Sequence, residues 1–562
     1  MTSGSTSDLK HLADQLPGAA LGVTVEGGRI TVAGAPGMPI PQTPADWLMH
    51  QAPAVWPNTP HGEARPTLLF GIVKDAGPAR KGLPLDTALK DVLAEELPGD
   101  SPQQRQALAA AMRSKFWATA AGKRTNNDNK RHYLLPLHAR LPLSFAQTKA
   151  DGSKAAFKYK MFRGTILPFL LSTPSGEVDR GLLDRFLEVF TDHRDLTVLD
   201  KKVLEIAAEI SPGPSALQAD ALITSSQGVL QRLQEAGGAF CAASLEQFRH
   251  DLGQVLSLDL PRRDLIHQLT ILLALHLATR LYRAGLVLSL RLDKCIALFP
   301  GGEEADPRAA SCADRCCGNL EGCDLSSRIL FRTGSGSFRG VRLAEPCVTS
   351  YRDLTSNYLL PLPVTISTAN LACDALRAAG GPAIAAADLV ALHAALADDD
   401  TLRQRFDGVV RLLAVCRRYQ LRGGSTVGAE VPGAMPGLHA LRLALLQSRR
   451  TTMRREGRDV VHQLAKDVRT GRLIASNGNA AVFFELDEDM LHLLMRLVCG
   501  SGLVAWGDFL RGLKRYGLAP QNPAEEQLLQ KALARLGMLK RYSDAGESAY
   551  VHHSDASHEE DL

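Results

Sequence analysis

Residues 265–292 read LIHQLTILLALHLATRLYRAGLVLSLRL, the longest apolar run in a chain of 562 residues. A membrane-crossing helix needs about twenty consecutive residues with few or no charges. Here His267, His276, Arg280 and Arg283 interrupt the run. The expectation is one or two well-buried helices of a soluble domain, with no membrane partner. The N-terminus, MTSGSTSDLK, is polar and lacks the apolar core of a secretory signal. A cytoplasmic location follows, where cysteines stay reduced.

Outward from this run the helical signal continues. Residues 178–298 repeat apolar spacings of three and four, as in GLLDRFLEVF, VLEIAAEI and VLQRLQEA. Helices resume over about 366–470, broken by the loop LRGGSTVGAEVPGAMPG. QQRQALAAAMRSKFWATA, from residue 103, is rich in helix formers. The first hundred residues mix strands with Pro/Gly-rich loops. GVTVEGGRITVAG alternates about Gly27-Gly28 like a β-hairpin, and TLLFGIV (67–73) reads as a short buried strand.

The last ninety residues are the most explicit. AVFFEL suggests a strand, and DEDMLHLLMRLVCG an acid-started helix stopped by glycine. WGDFLRGLKRYG and PAEEQLLQKALARLG give two more helices, the second with Pro523 near its start and Gly537 at its end. MLKRYSDAGESAYVHH alternates about an Asp-Ala-Gly-Glu turn. Three helices and a two-stranded wing predict a C-terminal winged helix-turn-helix. The fold class expected is α+β, a predominantly α-helical multidomain chain. Its parts are a mixed N-terminal region (1–100), a basic aromatic segment (101–175), helical domains (176–300 and 346–470), a Cys- and Gly/Ser-rich loop (301–345) and the winged-helix domain with a polar tail (471–562).

Apolar residues at 45% and charged residues at 22% are ordinary for globular proteins, which excludes wholesale disorder. The net charge of +4 hides a local excess. Between Arg113 and Arg163 twelve Lys/Arg stand against Asp128 and Asp151 alone. Lys123, Arg124, Lys130, Arg131, Lys158 and Lys160 alternate there with Trp117, Tyr133, Phe157 and Tyr159. Cations neutralise phosphates and rings stack on unpaired bases, so the segment points to nucleic acid. A solvated surface with its rings turned inward is the plainer alternative. Arg450, Arg454 and Arg458 share one helical face, able to grip phosphate or simply to solvate a helix. In the wing, Lys540 and Arg541 are positive, whereas Glu525 and Glu526 open the presumptive recognition helix and would repel DNA. DNA reading and protein docking both stay open for this module.

Five of the ten cysteines fall within 29 residues, spaced C-x16-C-x3-CC-x5-C. Cys295, Cys312, Cys316 and Cys323 are the expected ligands of a structural four-cysteine zinc, with Cys317 spare. Four thiolates hold an iron–sulfur cluster equally well, and an unliganded loop is the plainer alternative. Phosphate-loop, G-x-S-x-G and H-E-x-x-H signatures are absent from the sequence. His267 and His276, without an evident carboxylate partner, read as core histidines.

The ELDEDMLHLLMRLV…LARLGMLKRYSDAGESAYV tail and the LIHQLTILLALHLATRLYRA segment together resemble the large accessory subunits encoded in bacterial phage-defence islands. The DptG-type component of phosphorothioation-dependent DNA restriction is one such subunit, and methylation-associated defence systems have similar ones. The resemblance implies a non-catalytic DNA-associating scaffold or sensor, partnered by a separate ATPase, nuclease or methyltransferase. It carries no site residue across. A nuclease with an unrecognised acidic site and a winged-helix transcriptional regulator are the other classes the sequence admits.

Overall fold

The computed structural model describes residues 21–43, 46–48, 66–77, 100–107, 117–119, 132–134, 137–140, 166–173, 175–210, 216–235, 240–304, 320–321, 323, 362–447, 474–477, 481–484, 487–518, 520, 523–542 and 548–553, with 10, 11 and 14. An antiparallel hairpin leads. β1 (Val23–Glu26) pairs with β2 (Arg29–Val32), Val23 opposite Val32 and Glu26 opposite Arg29. Gly27 and Gly28 make the turn at φ 56° and 76°, a region glycine enters without steric cost. Alternation buries Val23, Val25, Ile30 and Val32, and β3 (Met38–Pro39) adds a third strand. A 3-10 turn, Asp46–Leu48, then sets Trp47 in the core.

α1 spans Pro66–Ala76, so TLLFGIV is a helix and not the expected strand. A short apolar run fits either element. Here Pro66 supplies a pre-set first helical residue, and the buried Leu69, Ile72, Val73 and Ala76 have helical spacing. A second correction concerns QQRQALAAAMRSKFWATA. Residues 102–107 are helical, but β4 (Trp117–Thr119) is a strand paired with β5 (His132–Leu134).

Five helices follow: α2 (Ile166–Leu170), α3 (Arg180–Glu188), α4 (Val198–Ile210), α5 (Ala219–Glu235) and α6 (Ala242–Leu256). The opening apolar run lies inside one continuous helix, α7 (Arg262–Ile296), of 35 residues. α8 (Leu362–Ala378), α9 (Leu389–Ala397) and α10 (Asp400–Leu421) come next, with residues 437–447 also helical. β6 (Ile474–Asn477) and β7 (Ala481–Phe484) form a hairpin. The chain then runs through α11 (Glu488–Cys499), β8 (Val504–Ala505), α12 (Trp506–Arg515), α13 (Pro523–Arg535), β9 (Leu539–Tyr542) and β10 (Ser548–Val551). Aspartates start several of these helices: Asp179, Asp388, Asp399 and Asp487 each accept from the backbone N–H three residues on.

The architecture is α+β, mostly helical, with small antiparallel sheets. α7 is its axis. It packs against α1, α6, α8, α9 and α11, and its apolar residues are buried on every side. A helix apolar all round belongs inside a large core. By length and composition α7 alone, among the described helices, would suffice to cross a membrane, yet 94% of its apolar window is buried within the protein. Most of the described buried apolar side chains form one continuous cluster from Val23 in the first hairpin to Val551 in the last strand, with smaller clusters at Leu286–Leu290 and around Cys241 and Leu320.

Candidate functional site

The polar residues that interrupt the 265–292 run are the ones that attach α7 to its surroundings. His276 Nε2 lies 2.9 Å from Asp251 Oδ2 on α6, and Tyr516 at the end of α12 donates its hydroxyl to the same oxygen at 2.9 Å. Gln247 Nε2 donates to Asp251 Oδ1 at 2.6 Å and to the Tyr516 oxygen at 3.2 Å. Arg280 donates to Ser244 Oγ (2.7 Å) and the Phe240 carbonyl (2.8 Å), and stacks 4.9 Å over the Phe169 ring. Arg283 Nη2 donates to the Arg515 carbonyl at 2.6 Å. His267 Nε2 lies 3.9 Å from Asp489 on α11.

An Asp–His–Tyr constellation also suits acid–base catalysis. This one cannot reach a solute: Asp251 is 0% exposed, Tyr516 4% and His276 7%. Burial, and then the Asp251 carboxylate, push the Tyr516 phenol well above its ordinary range, so it stays a donor. The network therefore clasps the C-terminal elements to α6 and α7. Farther along, Glu321 accepts from Arg515 Nε at 2.6 Å, bringing the end of the cysteine loop to α12.

The C-terminal elements also carry exposed charge. The sheet order is β8-β10-β9, antiparallel, with Val551 opposite Leu539 and Val504. α12 approaches α11 at Gly512, where a Cβ would come within 2.4 Å of Val498 Cγ1. Lys531 and Arg535 on α13 and Lys540 and Arg541 on β9 are solvent-exposed. Glu526, expected to repel DNA, is half-buried and accepts from Trp506 Nε1 at 2.5 Å.

No family model matches the chain, and no curated protein matches it.

Of the expected metal ligands, Cys312 and Cys316 lie outside the described residues. Cys295 is buried on α7, its Sγ donating to the Leu389 carbonyl at 3.4 Å, and burial pushes its thiol up to about 12. Cys323 packs elsewhere on α7, with Leu286, Val287 and Leu290 beside Phe240. The structure thus holds these two cysteines against different neighbours. As placed, Cys295 is a protonated thiol with an acceptor of its own, and a metal would have to break that bond to use it. No group of three His, Cys, Asp or Glu able to hold a metal occurs among the described residues.

Lys123, Arg124, Lys130, Arg131, Lys158, Lys160, Arg450, Arg454 and Arg458 also lie outside the described residues. In the middle of that basic segment, His138 is buried and its Nδ1 accepts from the Arg140 N–H at 3.0 Å. Burial first, and then the charge of Arg262, pull its pKa down to about 4. Arg262 itself donates to the Leu137 and Val189 carbonyls.

Sequence reasoning missed Asp251, Gln247 and Tyr516. A signal existed: Asp251 stands on the apolar stripe of α6 with Phe248, Leu252 and Val255. A carboxylate on a buried stripe requires partners, because an unpaired one is prohibitively costly to desolvate.

Proposed function

We propose that this chain is a non-catalytic, DNA-associating scaffold or sensor whose residues 487–553 work as a winged helix. The order helix, strand, helix, helix, strand, strand, with the three strands in one β8-β10-β9 sheet, supports that reading. The observation that carries it is the solvent exposure of Lys531, Arg535, Lys540 and Arg541, with Glu526 of α13 occupied by the Trp506 indole. Such cations bind phosphates and release counterions, giving a salt slope of about −0.9 per duplex phosphate contacted. The resemblance to phage-defence accessory subunits extends the proposal to a place in a multiprotein antiviral assembly with an ATPase, nuclease or methyltransferase. A structural zinc held by Cys295, Cys312, Cys316 and Cys323 belongs to the same proposal.

The test is duplex-DNA binding by the full chain, followed by fluorescence anisotropy across a salt series. Reversing Lys531, Arg535, Lys540 and Arg541 to Glu is expected to weaken binding at least ten-fold and to flatten the salt slope by about three. A second variant, with Lys123, Arg124, Lys130 and Arg131 reversed, apportions the effect between the wing and the basic segment. Duplex affinity unmoved by either variant overturns the reading.

A further inference from the structure

β9 is one of the two edge strands of the C-terminal sheet among the described residues, and the two faces of its pairing with β10 differ in chemistry. The register sets Lys540 opposite Tyr550 and Tyr542 opposite Ser548. Alternation along paired strands therefore puts Lys540, Tyr542 and Tyr550 on one face and Leu539, Arg541, Ala549 and Val551 on the other. Contacts agree with this division. The Tyr542 and Tyr550 rings meet edge-to-face on the strand diagonal, centroids 5.6 Å apart at 79°. On the other face Val551 is fully buried, and Arg541 Nη2 donates to Gln530 Oε1 on α13 at 3.0 Å.

The Lys540–Tyr542–Tyr550 face is the outward one. Tyr542 keeps 50% of its surface exposed, so its ring contributes little to the core. A flat ring, steadied by a second ring and flanked by an ammonium group, combines a π-surface with a positive charge. A protein groove filled by apolar side chains would gain nothing from Lys540. A nucleic-acid strand uses both features, its base on the ring and its phosphate on the cation. Bases inside a duplex are already stacked and paired, so an unpaired base is the one that can lie freely on a ring.

We propose that the outward face of the β9–β10 hairpin, with Tyr542, Tyr550 and Lys540, is a stacking platform for an unpaired nucleotide of a DNA strand. This rests on the DNA-associating reading and adds a substrate class to it: the wing engages single-stranded tails, while α13 faces duplex phosphates. Lys540 then holds the phosphate next to the stacked base.

The test compares three probes on the full chain by anisotropy: an oligothymidylate strand, a duplex with a single-stranded tail, and the blunt duplex. Tyr542→Ala and Tyr550→Ala are expected to weaken the first two about five- to hundred-fold, the range that loss of one base–ring stack produces. Blunt-duplex affinity is expected to stay within two-fold, and Tyr542→Phe, which keeps the ring, to restore tail binding. A 2-aminopurine placed in the tail should be quenched by the native chain and by Tyr542→Phe, but not by Tyr542→Ala. Wild-type tail affinity in Tyr542→Ala overturns the platform, as does an equal loss on tailed and blunt DNA. If the platform alone is wrong, duplex binding still falls on reversing Lys531 and Arg535. If the DNA reading is wrong, none of the three probes binds.

Discussion

The N-terminal hairpin and the C-terminal helix–strand elements are both fastened to the helical core, by different physics. The hairpin docks on α8 and α10 through an apolar face, Val23, Val25, Ile30 and Val32, with Trp47 behind it. Its polar contacts are few: Trp47 Nε1 donates to Gln420 Oε1 (2.7 Å), Gln420 donates to the Pro41 carbonyl (3.0 Å), and Arg417 lies 5.4 Å from the Trp47 ring centre. The C-terminal elements add to their apolar contacts a buried network converging on Asp251. Apolar burial is non-directional and forgiving of small shifts. A buried hydrogen-bond network fixes one orientation, and a half-broken one is costlier than none. The first attachment supplies stability; the second also specifies geometry.

Four measurements would break or sharpen that contrast. Trp47→Ala should cost the most, about 3–5 kcal/mol by denaturant unfolding, since it empties a large buried site. Asp251→Ala should cost about 2–3 kcal/mol, because Tyr516, His276 and Gln247 lose their shared acceptor. A double-mutant cycle of Asp251→Ala with Tyr516→Phe should then show strong non-additivity. If the two losses simply add, the clasp is not a unit and the contrast fails. The third is a pH effect at the start of α7. His138 is held neutral, its pKa pulled from about 6.5 in the unfolded chain to about 4 in the fold. Its neutral form is therefore fully compatible with the fold above pH 6.5. As pH falls from there toward 4 the unfolded chain takes up the proton first, and stability drops. His138→Gln should remove that part of the acid slope in a pH series of urea melts. The smallest effect belongs to the partly exposed Arg515–Glu321 pair. Glu321→Gln should cost less than about 1 kcal/mol and nothing measurable in high salt.

What could be read beforehand follows the same division. Local signals were explicit: Gly27-Gly28 between alternating strands, Asp487 and Gly500 bracketing α11, and Pro523 opening α13 each act within a few residues. The reading failed where the local pattern is ambiguous, as at Leu69–Val73, whose apolar run suits a strand or a helix until its neighbours decide. It also missed the partner of His276. Asp251 is 25 residues away and Tyr516 is 265 from Asp251, so only tertiary packing reveals that the three converge. The cysteine spacing left a further point to tertiary packing. Cys295 belongs by sequence to the cluster, but the helical phase of α7 aims it at Leu389, away from the surroundings of Cys323. Proximity along the chain is a poor guide once a long helix has fixed which way each residue points.

α7 also limits how the gene can change. One residue inserted near its middle would turn everything beyond it by about 100° and push it about 1.5 Å along the axis. The bonds of His276 and Arg280 would then fall out of phase with those that Asp293 and Cys295 make to Arg442 and Leu389. Point changes can be absorbed along this rod one at a time, but a frame-preserving insertion cannot. Among descendants of this chain, length in the stretch between His276 and Cys295 should be the most tightly kept quantity of all.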